Sequence, residues 1–319
     1  MDTKEISAMI ERRLASIDMP ARPAGLYEPV RYALEGGGKR LRPLLCVQAC
    51  RACGGSAEDA MEAAMALEMF HNFTLVHDDI MDHSATRRGR ASVAAKYGEN
   101  QAILSGDAML TLASRLISRV PAGVVPAVMA EFNEMALRVY EGQQLDTEFE
   151  TRKNVTVGEY FEMISLKTGA LLASACRIGA LIGGADEATA DALYDYGMEL
   201  GLAFQLRDDW LDTFGDAATF GKPIGGDIIN EKETWMLITA RHDSHGDLDA
   251  ILDEDLEPEE KISQVTRLYD RLRVGERCDA AAAEHHALAL AALGRAQLAD
   301  PALREFFEET VDRMASRKL

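Results

Sequence analysis

Alternating β-branched runs are scarce in this chain, which argues against a sheet-based architecture. Aromatic residues make up only 6% of it, so a core must be filled mainly by alanine, leucine and methionine. No run reaches the roughly 18 apolar residues of a membrane span. The N-terminal string MDTKEISAMIERRLA lacks the apolar centre of a signal peptide. Bases are outnumbered, 34 against 53 acids, for a formal charge of -19. Such a surface repels polyanions, so neither nucleic acid nor an anionic lipid surface is an expected partner. Cysteines number five, at Cys46, Cys50, Cys53, Cys176 and Cys278. Cys46 and Cys50 lie in the apolar helical string LLCVQAC and read as buried thiols rather than metal ligands. That reading and the odd count suit a reducing, cytoplasmic compartment.

What is present is helical periodicity almost throughout. Helices are expected over about 3–16, 26–35, 39–53, 57–83, 97–118, 125–150, 155–183 and 186–214, then 230–242, 257–276, 277–293 and 299–316. Pro20 and Pro23 close the first, Gly54 and Gly55 stop the third, and Ser56 is placed to cap the fourth. The acidic stretch 243–260 shows no repeated helical face and reads as a solvated loop with short helical pieces. Without a linker, a short repeat or a heptad pattern, the expectation is one all-α domain over residues 1–319.

The chemistry gathers in two acidic triplets. Asp78, Asp79 and Asp82 form DDIMD, and Asp208, Asp209 and Asp212 form DDWLD, each after an apolar helical run. On a helix the outer members of a triplet share a face, about 6 Å apart along the axis. Carboxylates this close repel one another, and near a core they need a cation. Oxygen ligands point to magnesium or manganese, and magnesium readily bridges carboxylates to phosphate oxygens. Two such clusters on facing helices can hold a diphosphate through shared ions and stabilise it as a leaving group. His77 and His83 flank the first triplet without making a tetrahedral zinc set. The EF-hand spacing of a calcium store is absent, and a two-carboxylate glycosidase would not call for triplets with phosphate-binding bases.

Bases accompany the acids. GGGKRLRP brings Lys39, Arg40 and Arg42 to a helix start behind small residues, a setting suited to a second diphosphate, although the P-loop order is absent. His71 lies two turns before Asp78. The neighbours Arg87 and Arg88 of TRRGR can be directed one to each of two diphosphates. Lys167 and Thr168 interrupt the apolar string MISLKTGALLASAC, where a buried ammonium must find an anion. Gln205 precedes the second triplet by one turn, Lys222 and Lys232 follow it, and Gln143 and Asp146 share a helical face. For this last group, from Lys167 onward, a core polar network or plain surface placement stays open as the other reading.

Taken in order, the strings GGGKRLRP, LVHDDIMD, RRGR, LSGDA, GQQLD, SLKTGAL, FQLRDDWLD and GKPIGGDI resemble the trans-isoprenyl diphosphate synthases, the farnesyl and geranylgeranyl diphosphate synthase group. They span about residues 36–235, and the last third of the chain is much less diagnostic. The resemblance implies an all-α terpenoid-synthase (isoprenoid synthase) bundle around a deep central cavity, usually a homodimer. It implies three magnesium ions on the allylic diphosphate, with manganese as a substitute. Asp78 and Asp82 then look like metal ligands with Asp79 in support. Asp208 looks like the principal ligand of the second triplet, with Asp209 and Asp212 stabilising the metal and its waters. Arg87, Lys167 and Lys222 look like contacts to the allylic diphosphate, and Lys39, Arg42, His71 and Arg88 like contacts to isopentenyl diphosphate. Lys232 adds positive charge, and Thr168 and Gln205 look placed beside the reacting carbon skeleton. Arg317 and Lys318 would close over isopentenyl diphosphate.

The implied reaction is ionisation, condensation and elimination, joining isopentenyl diphosphate to C5, C10 or C15 allylic diphosphates. Phe73 and Phe70, with the smaller Thr74, are expected to line the tunnel for the growing chain. In the resembling family an aromatic at the position of Phe73 shortens the product. This gives a C15–C20 ceiling, with geranylgeranyl diphosphate favoured over farnesyl because only one of Phe73 and Thr74 is aromatic. The four-residue spacing of many bacterial farnesyl enzymes is absent from DDIMD, so the size rule built on it does not carry over. A class I terpene cyclase would not need the Lys39–Arg42–Arg88 set. A catalytically weak structural subunit would not need both acidic triplets intact.

Overall fold

The structure is a computed structural model that describes residues 1–215 and 224–315. Lys222, Arg317 and Lys318 lie outside the described residues. Helices α1 (Thr3–Ala15), α2 (Ala24–Leu34), α3 (Leu41–Ala52) and α4 (Met61–Met81) lead into a hairpin of β1 (Thr86–Arg87) and β2 (Arg90–Ala91). Next come α5 (Val93–Tyr97), α6 (Glu99–Ile117), α7 (Val125–Phe149), α8 (Val157–Ile164), α9 (Ala170–Ile182) and α10 (Glu187–Phe214). The remaining helices are α11 (Gly226–Ile229), α12 (Trp235–Asp243), α13 (Asp247–Asp253), α14 (Pro258–Arg271), α15 (Val274–Arg295) and α16 (Arg304–Ala315). The fold is all-α; among the described residues the hairpin is the only sheet.

The residues gather into two compact units, neither of them a continuous piece of chain. The first takes Met1–Glu134, Ser174–Tyr194 and Ala296–Phe306, and the second takes Met135–Ala173, Asp195–Arg295 and Phe307–Leu319.

In the first unit α4 is apolar on every side: Met61, Ala63, Met65, Ala66, Leu67 and Phe70 are all buried. A helix of that kind needs protein all round, and α3 and α6 supply much of it. Cys46 and Cys50 of α3 are buried as LLCVQAC indicates, and burial pushes the Cys50 thiol up to about 12. Glycine lets α9 approach them: a Cβ at Gly179 would come 2.1 Å from the Cys46 carbonyl oxygen.

Most expected helix boundaries hold within about five residues, and three of the differences have clear local reasons. Ser56 does not cap α4. Its hydroxyl donates to Asp59 Oδ2 at 2.6 Å within a turn, and the helix starts at Met61. The stretch before α6 breaks at Gly98, whose φ of 94° ends the short α5. The expected helix over 155–183 begins with a Thr156–Glu159 capping box but widens to a π turn at Ser165–Gly169.

The second unit packs α8, α12, α14 and α15 around buried Tyr160, Ile164, Trp235, Val265, Tyr269 and Cys278. By length and hydropathy the stretch Val157–Ile182 could cross a membrane, yet 67% of its most apolar window is buried in protein, as in a core helix.

Candidate active site

In the first unit the string GGGKRLRP splits by direction. Arg40 takes a left-handed backbone (φ 47°), which turns its side chain inward to Glu68 Oε1 at 2.6 Å, Glu11 Oε1 at 2.9 Å and the Leu34 carbonyl oxygen at 2.7 Å. Its neighbours in sequence go elsewhere. Lys39 is exposed, and Arg42 Nη1 lies 3.3 Å from His71 Nε2.

TRRGR forms the hairpin. Arg88 and Gly89 both carry positive φ, 53° and 73°, as a two-residue hairpin turn of this hand requires. Arg87 on β1 donates from Nε and Nη2 to Asp79 Oδ1 at 2.9 and 2.6 Å. Arg88 donates from Nη1 to the Gly37 carbonyl oxygen. A Cβ at Gly38 would sit 3.0 Å from that same nitrogen, so a bare backbone is what lets the guanidinium lie against the glycine loop.

Electrostatics mark this cluster as over-supplied with positive charge. Burial and then Arg42, Arg88, Arg87 and Arg40 push His71 well below its ordinary value, so it is neutral. Burial also lowers Arg42 to about 10; Glu68 opposes that shift and Arg88 adds to it. Arg42 Nε is buried without a hydrogen-bond partner. An anion placed here would satisfy that nitrogen and relieve the repulsion.

The first acidic triplet divides its labour. Asp79 is 3% exposed and held by Arg87, and burial raises its carboxyl against the pull of that arginine. Asp78 is half-buried and Asp82 is exposed at the C-cap of α4. Among the described residues no three His, Cys, Asp or Glu side chains close a metal site by themselves. Magnesium is commonly held by one or two carboxylates with phosphate and water completing the shell, and the Asp78–Asp82 pair fits that donor set. Phe70 and Phe73 stack at 5.5 Å, with Phe70 also against Phe132 at 5.6 Å. Phe70 is wholly enclosed and Phe73 is 6% exposed, while Thr74 is half-buried and donates to the His71 carbonyl oxygen at 2.8 Å.

In the second unit the π turn carries Lys167 and Thr168. Helices α7 and α10 approach it closely through glycines. A Cβ at Gly142 would come 2.3 Å from Lys167 N, and one at Gly201 would come 2.7 Å from Gly169 Cα. Three helices therefore meet backbone to backbone at this turn. Lys167 Nζ donates to Asp146 Oδ2 at 2.6 Å. Thr168 donates to Gln205 Oε1 at 3.2 Å, Gln205 donates to Asp209 Oδ1 at 2.9 Å, and Tyr160 donates to Asp209 Oδ2 at 2.6 Å. These residues and Lys232 line one small pocket.

Burial, then Asp227, pushes Asp209 up to about 7. Lys232 is solvent-accessible, yet desolvation on one side of it is outweighed by Asp146, Asp227, Asp209 and Asp208, which hold its ammonium above the ordinary lysine range. Asp212 is buried, and its Oδ2 accepts the Asp227 N–H at 2.9 Å, which fixes the start of α11. Asp208 is half-buried beside this network. Gln143 is half-buried, with its amide oxygen enclosed and without a partner.

The structure thus groups Arg42, His71, Arg87 and Arg88 with the first triplet, and Lys167, Thr168, Gln205 and Lys232 with the second. Sequence reasoning missed Tyr160, Asp227 and Glu68 as parts of these networks. Tyr160 lies seven residues before Lys167, the two-turn spacing that singled out His71, and Asp227 stands inside GKPIGGDI.

Comparison with known proteins gives a consistent neighbourhood. Residues 23–272 match the polyprenyl synthetase family model. A geranylgeranyl diphosphate synthase of Methanosarcina mazei is 41% identical over 242 residues, covering 75% of this chain and 74% of that protein. A crystal structure of a geranylgeranyl pyrophosphate synthase superposes with a TM-score of 0.95 at 38% identity, covering all of both chains. A polyprenyl synthase from Caulobacter crescentus, solved with calcium and isoprenyl diphosphate, gives 0.88 at 30% identity, over 99% of this chain and 96% of that one.

Proposed function

Since the chain belongs to the polyprenyl synthetase family and is a prenyltransferase, we propose that it condenses isopentenyl diphosphate with short allylic diphosphates to give linear all-trans C15–C20 products. The observation that carries this reading is the cluster of Arg42, Arg87 and Arg88 around His71, with Arg42 Nε buried and without a partner, in the same unit as the Asp78–Asp82 turn. Anion recognition and a carboxylate pair for a hard cation occur together there. The proposal treats residues 1–319 as one synthase domain, since neither unit is a continuous segment that could stand as a separate domain.

In this reading Lys39, Arg42, His71 and Arg88 receive isopentenyl diphosphate. Arg87 (oriented by Asp79), Lys167 and Lys232 receive the allylic diphosphate, and Lys222 joins them on the strength of its place in GKPIGGDI. Asp78, Asp82 and Asp208 would hold magnesium, with three ions expected when a diphosphate is bound. When bound, the metal supplies the Lewis acidity that draws charge off the leaving diphosphate. Asp209 and Asp212 act behind them. Asp209 ties Tyr160, Gln205 and Thr168 into one rigid chain, and Asp212 anchors α11. Thr168 and Gln205 face the carbon skeleton and fix its position against the double bond of isopentenyl diphosphate. The proton lost after carbon–carbon bond formation passes to the departed diphosphate, so no serine, cysteine or histidine nucleophile is required.

The test uses purified protein with magnesium, isopentenyl diphosphate and C5, C10 or C15 allylic diphosphates in separate reactions. Pyrophosphate release and product mass are measured. Isopentenyl-dependent linear chains are expected, with geranylgeranyl diphosphate the main product; cyclic products formed without isopentenyl diphosphate would refute the reading. Phe73→Ala is expected to lengthen the chains by at least one C5 unit, and unchanged length with retained turnover would remove Phe73 from chain-length control. Helix α6 leaves Ile103 and Leu104 on the surface, 38% and 59% exposed, and we infer that a second copy covers them in a homodimer. Five free thiols suit a cytoplasmic enzyme.

A further inference from the structure

We propose that Tyr32 is a positioning residue for diphosphate binding: with Arg90 and Lys96 it clasps the Arg87–Arg88 hairpin to the helix that leads into the glycine loop. The inference rests on the reading of Arg87 and Arg88 as diphosphate contacts. Tyr32 stands on α2, a few residues before Gly36. Its hydroxyl donates to the Ala91 carbonyl oxygen at 2.9 Å, at the exit of β2. Arg90 stacks its guanidinium 4.2 Å from the ring centroid, and the Lys96 ammonium lies 3.7 Å from the same centroid. Tyr97 meets the ring edge-on at 5.6 Å. One aromatic ring thus touches the second strand of the hairpin and the last turn of α5, which continues from that strand through the Ser92 cap.

The hairpin has other attachments, but they draw on the residues that would bind substrate. Arg87 reaches Asp79, and Arg88 reaches the Gly37 carbonyl oxygen. A diphosphate competes for both guanidinium groups. The Tyr32 interactions use neither, so they keep the hairpin registered against α2 while Arg87 and Arg88 exchange partners. Because α2 runs directly into the loop before Lys39 and Arg42, the same ring sets the spacing between the two halves of the cationic cluster. A surface pocket lined by Tyr32, Asn72, Asp79, Arg87 and Arg88 among others places the ring, the hairpin and the carboxylate that holds Arg87 around one opening.

The experiment compares Tyr32→Leu, Tyr32→Trp and the double variant Arg90→Gln/Lys96→Gln in the full chain. It measures KM for each diphosphate, kcat, Tm and calorimetric binding of inorganic pyrophosphate. Removing both cation–π interactions at once should raise KM and the pyrophosphate Kd about tenfold, in Tyr32→Leu and in the double variant alike. Turnover at saturation should stay within about twofold, and Tyr32→Trp, which keeps an aromatic face, should restore most of the affinity. Unchanged KM and Kd in the double variant would overturn the proposal. So would a fall in kcat matched by the fraction unfolded, with the affinity of the folded fraction intact. If the wild-type protein shows no prenyl transfer, the functional reading fails, and pyrophosphate binding still decides whether Tyr32 positions the cluster.

Discussion

Asp78→Ala and Asp208→Ala are each expected to lower turnover by about a thousandfold, a loss of about 4 kcal/mol in transition-state stabilisation, with the fold retained. Asp78 is half-buried at the end of α4 and Asp208 is half-buried on α10. If their task is to hold the cation that stabilises the leaving diphosphate, their removal takes away an interaction that strengthens as the carbon–oxygen bond breaks. KM for isopentenyl diphosphate should move little, because the bases assigned to it remain in place. The double variant adds a further measurement. If both carboxylates act on one bond-breaking step, its loss should fall well short of the product of the two single losses. Steady-state rates and single-turnover kinetics read this directly. Near-normal turnover in both single variants would sink the metal assignment.

The second large effect concerns stability. Glu68→Ala is expected to cost about 3 kcal/mol, because it strips a buried arginine of a buried partner. Arg40 and Glu68 are 7% and 3% exposed at their side chains and 2.6 Å apart. Glu68 also accepts from Asn72 Nδ2, at 3.2 Å to Oε1 and 2.8 Å to its carbonyl oxygen. Its removal leaves Arg40 with Glu11 alone among its carboxylates and deletes the negative charge that counters Arg42 and Arg88. Tm should fall by roughly 5–10 °C. Pyrophosphate should restore part of that loss, since an anion bound only by the folded protein replaces the missing charge. A Tm shift of under about 1 °C would show that Glu68 contributes nothing net to this pair.

Comparing expectation with structure separates what a chain writes locally from what it writes through its neighbours. The helices were legible because their apolar period, and stops such as Pro20, Pro23 and Gly54, lie within the segments themselves. The acidic triplets were legible because their spacing alone puts two carboxylates on one face. The division of work inside each triplet was not. Asp79 is claimed by Arg87 from a hairpin, Asp209 by Tyr160 from α8, and Asp212 by the backbone of Asp227, and none of these partners lies within the triplet. The hairpin itself escaped notice because strands of two residues carry no period and Arg-Gly is not among the usual hairpin turn pairs. The π turn at Ser165–Gly169 left no local mark either. The close backbone approach that accompanies it depends on glycines elsewhere in the chain, Gly142 on α7 and Gly201 on α10.

The left-handed Arg40 makes GGGKRLRP a string whose three bases answer to different selective pressures. A charge-removal scan along it should report on folding at Arg40 and on ligand affinity at Lys39 and Arg42, in alternation, although the residues stand side by side. Tolerance of substitution there would follow the direction each side chain takes from the backbone, and composition alone would rank the three positions wrongly.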